Sequence, residues 1–123
     1  MKLLDTNIII YAAKDEYRYL RPLLLAPDVC VSAISKVETL GYHRLVKAEK
    51  EYFEHVFDIV PVLPINEPVI DLAILLKQQR KYSLGDSIIA ATALLYDAGL
   101  NTDNTGDFDS ITGIRLFNPL MKI

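Results

Sequence analysis

Apolar residues fall in short blocks along the chain, and polar junctions separate them. A greasy run over residues 2–5, "KLLD", predicts a strand, and residues 7–14 follow as a helix. "YRYLRPLLLA" reads as another short helix before Pro27, and "VCVSA" over 29–33 as the second strand. A helix is predicted from about Ser35 to Val46, then one over 48–58 whose Phe53, Val56, Phe57 and Val60 recur at helical spacing. "VPVLPI" is a third strand, short and bracketed by prolines. Asn66 looks like an N-cap with Pro68 in the first turn, ahead of a stripe of Val69, Leu72, Ala73 and Leu76. That helix runs out in "KQQRK", cations that suit a helix C-terminus. Ser83 starts a helix, "SLGDSIIAATALLYDA", that is apolar almost all round and therefore central, with Gly99 expected as its C′ glycine. "GLNT" and "IRLFNP" supply a fourth and a fifth strand.

Strands alternating with helices predict an α/β fold in three layers, a mainly parallel central sheet of four to five strands flanked by helices. No repeat, low-complexity tract or linker divides the chain, so residues 1–123 read as one domain. In open parallel sheets, sites form where strands hand over to helices, at the strands' carboxyl ends.

Acids stand at those junctions. Asp5 follows the first strand, between Leu3, Leu4 and Ile8, Ile9, Ile10, where an unpaired carboxylate is costly. Glu38 is read in the first turn after strand two, Asp86 in the first turn of the central helix, and Asp103, Asn104 and Asp107 after strand four. Taken singly, each has an ordinary explanation. Ser35 with Glu38 and Ser83 with Asp86 have capping-box spacing, Asp5 or Thr6 suits an N-cap, and Asn104 to Asp107 suit a turn around Gly106. Capping gives no reason for acids from four segments to share one sheet edge, where like charges repel. A cation answers that repulsion, and hard oxygen ligands select Mg²⁺ or Mn²⁺ over zinc. Carboxylates around Mg²⁺ suit phosphoryl chemistry.

Composition narrows the setting. Half of the 123 residues are hydrophobic, enough for a real core, and the net charge of −3 argues against binding nucleic acid through bulk charge. Cys30 is alone, which excludes an internal disulfide, and its strand-like surroundings make it core. The longest apolar stretch, near Ile88 to Tyr96, is too short for a membrane span, and too few apolar residues follow Met1-Lys2 for a secretory signal. A soluble, cytoplasmic protein is expected. No phosphate-binding GxxxxGK[ST] segment is present, and His43 and His55 read as surface residues.

"LLDTNIIIY", "VSAISKVETLG", "LGDSIIAATAL" and "LNTDNTGDF", in that order across nearly the whole chain, resemble the PIN-domain ribonucleases. The likeness is greatest to the toxins of VapBC-type (type II) toxin–antitoxin pairs. The resemblance implies an Mg²⁺-dependent endoribonuclease, with Mn²⁺ as a substitute. Carried over by motif, Asp5, Glu38 and Asp86 are the core acids, with Asp5 and Asp86 holding the metal most directly. The last motif matches at Thr102, Asn104, Asp107 and Phe108, but Asp103 stands where a basic residue is common. Asp107 is therefore the first choice for the fourth acid and Asp103 the second. Thr6 and Asn7 are expected to orient Asp5 or meet phosphate, and Thr102 and Asn104 to do the same around the last acid. Ser87 and Thr92 read as helix packing.

The resemblance further implies a homodimer, held inactive by a cognate antitoxin, and no membrane. Lys14, Arg18, Arg21, Lys36, Arg44, Lys47, Lys50 and "KQQRK" are candidate phosphate contacts. Tyr11, Tyr17, Tyr19, Tyr42 and Tyr82 are candidates for stacking bases. Two other readings stay open: a PIN-like RNA-binding or assembly module without catalysis, and a receiver-like phosphoryl-acceptor domain. The receiver pattern fits poorly, since only Glu67 follows the third strand and Lys122 sits at the terminus.

Overall fold

Strand β1 (Lys2–Leu4) is followed by helix α1 (Thr6–Ala12), a 3₁₀ segment (Asp15–Leu20) and α2 (Arg21–Leu24) in the computed structural model, which describes residues 1–120. Strand β2 (Val29–Ser32) leads into α3 (Ala33–Leu40) and α4 (Lys47–Ile59), and β3 (Val62–Leu63) into α5 (Glu67–Gln79) and α6 (Leu84–Leu95). The chain closes through β4 (Gly99–Asn101), α7 (Thr105–Phe108) and β5 (Leu116–Phe117). Lys122 lies outside the described residues.

All five strands are parallel, in the order β3-β2-β1-β4-β5. Adjacent residues of each strand face opposite sides, so the sheet separates two cores. Leu3, Cys30 and Leu100 pack with α5 and α6 through Val69, Ala73, Leu76, Ile89 and Ala93. Leu4, Val29 and Val31 pack on the other side with Ile8, Ile9, Phe53 and Val56 of α1 and α4. This is the expected three-layer α/β arrangement, with a sheet wholly rather than mainly parallel. Cys30 is core as read. Its thiol donates to the carbonyl of Lys2 at 3.3 Å, and burial pushes its pKa up to about 11.

The strand order places the site. From β1 the chain moves outward through β2 to β3, then crosses back to lay β4 and β5 on β1's other edge. β1 and β4 are therefore neighbours at the point where the order reverses, and a crevice forms there at the carboxyl ends. The backbone continues the pairing one step further, with the Asp5 amide donating to the carbonyl of Asn101 at 2.9 Å.

Several boundaries differ from the expected ones, most by a residue or two at an element's end. The helix after β2 begins at Ala33, because Ser32, not Ser35, caps it by accepting from the Ile34 amide at 3.2 Å. Glu38 thus lies in its second turn, outside the reach of a capping box, and Gly41 ends the helix before Val46. Helix α6 stops at Leu95, and Asp97, with φ of 49°, takes the left-handed conformation expected of a C′ glycine. Gly99 instead opens β4, where a Cβ would stand 2.8 Å from the Phe117 ring. Asn66 and Ser83 do cap their helices, accepting from the amides of Val69 and Asp86 at 3.1 Å each.

Candidate active site

Asp5 forms the floor of the crevice. It is the N-cap of α1, and its side chain is almost wholly buried at 4% exposure. Oδ1 accepts from the Thr6 amide at 2.8 Å, and Oδ2 from the Thr102 hydroxyl at 2.7 Å. Burial raises the Asp5 pKa to about 6; the bonds from Thr102 and Thr6 pull it down, and the charges of Asp86 and Asp103 push it up. The cap geometry is real, and it fixes the direction of a carboxylate that it leaves electrostatically unbalanced.

Glu38 arrives from the β2 side. Its Oε1 accepts from the Thr6 hydroxyl at 2.7 Å, and that hydroxyl also pairs with buried Ser35 at 2.8 Å. Asp86 arrives from the first turn of α6, half-buried. Its pKa is raised, first by burial and then by Asp107 and Glu38, while Ser83 opposes the shift. Gly85 brings the two together: a Cβ there would lie 2.5 Å from Glu38 Oε2, so the carboxylate occupies the space that a side chain would need.

Asp103 and Asp107 come from the segment after β4. Asp103 is half-buried; its Oδ2 accepts from the Tyr11 hydroxyl at 3.0 Å, and its Oδ1 is buried without a hydrogen-bond partner among the described residues. Asp107 is exposed on the short helix α7. Thr102 links the segment to the floor, donating to Asp5 and accepting from the Asn104 amide at 3.0 Å. Among the described residues, no hydrogen bond joins the side chain of Asn7 or Asn104 to the acids.

The crevice therefore gathers Asp5, Glu38, Asp86, Asp103 and Asp107, buried at its floor and exposed at its rim. As they are placed, no three His, Cys, Asp or Glu side chains among the described residues form a group that could hold a metal ion. The oxygen-only donors, the partnerless oxygen of Asp103 and the raised pKa values of Asp5 and Asp86 all fit a hard divalent cation. Beside Glu38 opens a cleft of about 280 Å³, lined among others by Lys14, Tyr42, Leu45 and Phe53.

The PIN-domain family profile matches residues 2–113. The chain belongs to the PIN-domain family. No curated protein matches this PIN domain significantly, but solved structures do. It is similar to a toxin–antitoxin complex from Klebsiella pneumoniae, with 27% identity, 98% of each chain covered and a TM-score of 0.76. The FitAcB structure from Neisseria gonorrhoeae shares 27% identity over 97% of this chain and 98% of that one, with a TM-score of 0.75. VapBC-1 from nontypeable Haemophilus influenzae shares 29% identity over 95% of this chain and 96% of that one, with a TM-score of 0.71.

Three contributors to the crevice of this PIN domain carry little sign of that role in the sequence. Ser35 has the spacing of a cap, but its place three residues before Glu38 puts both on one helix face. Gly85, a glycine in a first helical turn where no turn is needed, was the signal for a close approach. Tyr11 reads from sequence as a base-stacking candidate, and its bond to Asp103 spans 92 residues with no local sign. Among the other tyrosines, Tyr82 is buried, with its hydroxyl 3.2 Å from that of Ser110. His43 and His55 are exposed, as expected. Ser87 and Thr92 are buried, each donating to its own helix at 2.7 Å.

Proposed function

We propose that this single-domain chain is an Mg²⁺-dependent endoribonuclease of the cytoplasm, the toxin of a VapBC-type pair, with Mn²⁺ able to replace Mg²⁺. The observation that carries the reading is the convergence of Asp5, Glu38, Asp86 and Asp103 on the β1/β4 switch point, with one acid oxygen left unpartnered. Asp5 and Asp86 would hold the cation most directly, with Glu38 and an acid after β4 completing the set. When bound, the cation supplies positive charge for the attacked phosphate and lowers the pKa of a water.

The residues of the chain do the rest. Thr6 and Thr102 hold Asp5 and Glu38 in fixed directions through their hydroxyls, so little reorganisation is needed during reaction. Glu38, exposed at the rim, accepts a proton from the attacking water. Asp103 stands beside Asp5 and Asp107 beside Asp86, which gives each a claim as the fourth acid. Lys14, on the wall of the cleft next to Glu38, offers a cation to RNA phosphate. A segment of a cognate antitoxin laid in the same cleft would cover the acids. Ile70, Ile74 and Leu75 stay 45%, 50% and 54% exposed on α5, an apolar face suited to homodimer contact.

The test is direct. Purified chain, free of antitoxin, is incubated with structured RNAs in Mg²⁺, Mn²⁺ or EDTA, beside Asp5→Asn and Asp86→Asn. Cleavage should require the cation and both acids; cleavage persisting in EDTA, or in both variants, sinks the nuclease reading. A folded chain that binds RNA but never cleaves it would favour an RNA-binding module.

A further inference from the structure

Tyr11 is held on two sides. The Tyr17 ring packs on it with centroids 4.7 Å apart, and the ammonium of Lys14 lies 5.7 Å from its ring centroid. Its hydroxyl, so fixed, donates to Asp103 Oδ2 at 3.0 Å. The other oxygen of that carboxylate is buried and bonded to nothing among the described residues. A buried acceptor left unmade calls for an explanation, and a carboxylate gripped by one oxygen has lost the rotation with which it could find another donor. Tyr11 also shares helix α1 with the Asp5 cap, so one seven-residue helix fixes an acid at its start and grips a second from its last turn. Asp103 is close enough to Asp5 to raise its pKa.

We infer that Tyr11 is a positioning residue of the acidic site: its phenol holds one oxygen of Asp103 and leaves the other for a cation shared with Asp5. This rests on the metal-site reading above. It also accounts for an acid at a position where the resembled motif commonly carries a basic residue. Here the extra carboxylate comes with its own donor.

The experiment titrates Mn²⁺ into the metal-free 123-residue chain, reading free ion by electron paramagnetic resonance. Wild type, Asp5→Asn, Tyr11→Phe, Asp103→Asn and the Tyr11→Phe/Asp103→Asn double variant are compared, with thermal melts alongside. Tyr11→Phe should weaken Mn²⁺ binding by about tenfold, the scale on which groups that orient metal ligands act. It should add nothing to the loss already caused by Asp103→Asn. The melts establish that each variant is folded at the titration temperature, and the cycle then isolates the contact. Wild-type binding by Tyr11→Phe, or an equal further loss in the Asp103→Asn background, overturns the role. If wild type binds Mn²⁺ and Asp5→Asn does not, such a result overturns the role of Tyr11 alone. If wild type binds no Mn²⁺, the metal-site reading and the role fall together.

Discussion

With its pKa raised to about 6 by burial, Asp5 keeps a proton in the folded chain at pH values where an ordinary aspartate, at 3.8, has lost it. Between those values the native state binds more protons than the unfolded one, so stability falls as pH rises through the window. A rise from 3.8 to about 6 corresponds to about 2 kcal/mol lost from pH 4 to pH 7 in the metal-free chain. Asp86 is shifted in the same direction. Urea unfolding across this range should show the decline, Asp5→Asn should flatten it, and Mn²⁺ at pH 7 should recover stability that EDTA removes again. A metal-free chain that gains stability steadily over the window would contradict the raised pKa. Gly85→Ala tests the neighbouring contact, since the new Cβ would meet Glu38 Oε2 at 2.5 Å. Glu38 is exposed at the rim and can give way only by loosening its bond from Thr6, so melting should change little while Mn²⁺ binding weakens severalfold.

The helix caps were legible wherever capping is local. Asn66 and Ser83 each precede a strong stripe and accept from the third amide onward, and both were read directly. Ser83→Ala should cost about 1 kcal/mol in chemical denaturation and loosen the turn that carries Asp86. Ser35 misled because Ser32, three residues earlier, competes for the same role, and only the end of the β2 ladder decides between them. Gly99 misled for a related reason: glycine suits a helix end and a close approach equally well. The Phe117 ring that requires it here comes from β5, eighteen residues away in sequence but across one ladder in space. Gly99→Ala should therefore destabilise by about 1–3 kcal/mol through overpacking, measurable in the same assay.

Across the molecule, the two cores leave the outer face of α5 uncovered, with Ile70, Ile74 and Leu75 exposed. Replacing Ile74 and Leu75 together by Glu and Lys should convert a dimer to a monomer, as read by light scattering, with the melting of the protomer little changed. A dimer that survives both substitutions would place its contact elsewhere. The described residues contain no helix long and apolar enough to cross a membrane, in keeping with the composition. The choice of a fourth acid is also a question of this level, because Asp103 lies near Asp5 and Asp107 near Asp86. Comparing cleavage by Asp103→Asn and Asp107→Asn ranks them, and greater loss at Asp103 would reverse the order expected from the motif.

Residue types, periodicity and caps were enough to read an α/β chain with an acid at each strand-to-helix junction, because those features depend on near neighbours. Which junctions adjoin depends on strand order, and short apolar strands of similar composition do not encode it locally. The order β3-β2-β1-β4-β5 alone brings Thr102 to Asp5 across 97 residues, Tyr11 to Asp103 across 92 and Thr6 to Glu38 across 32. Asp5 could be read as an acid in need of a partner; only the packed sheet decided which hydroxyls hold it and which carboxylates crowd it.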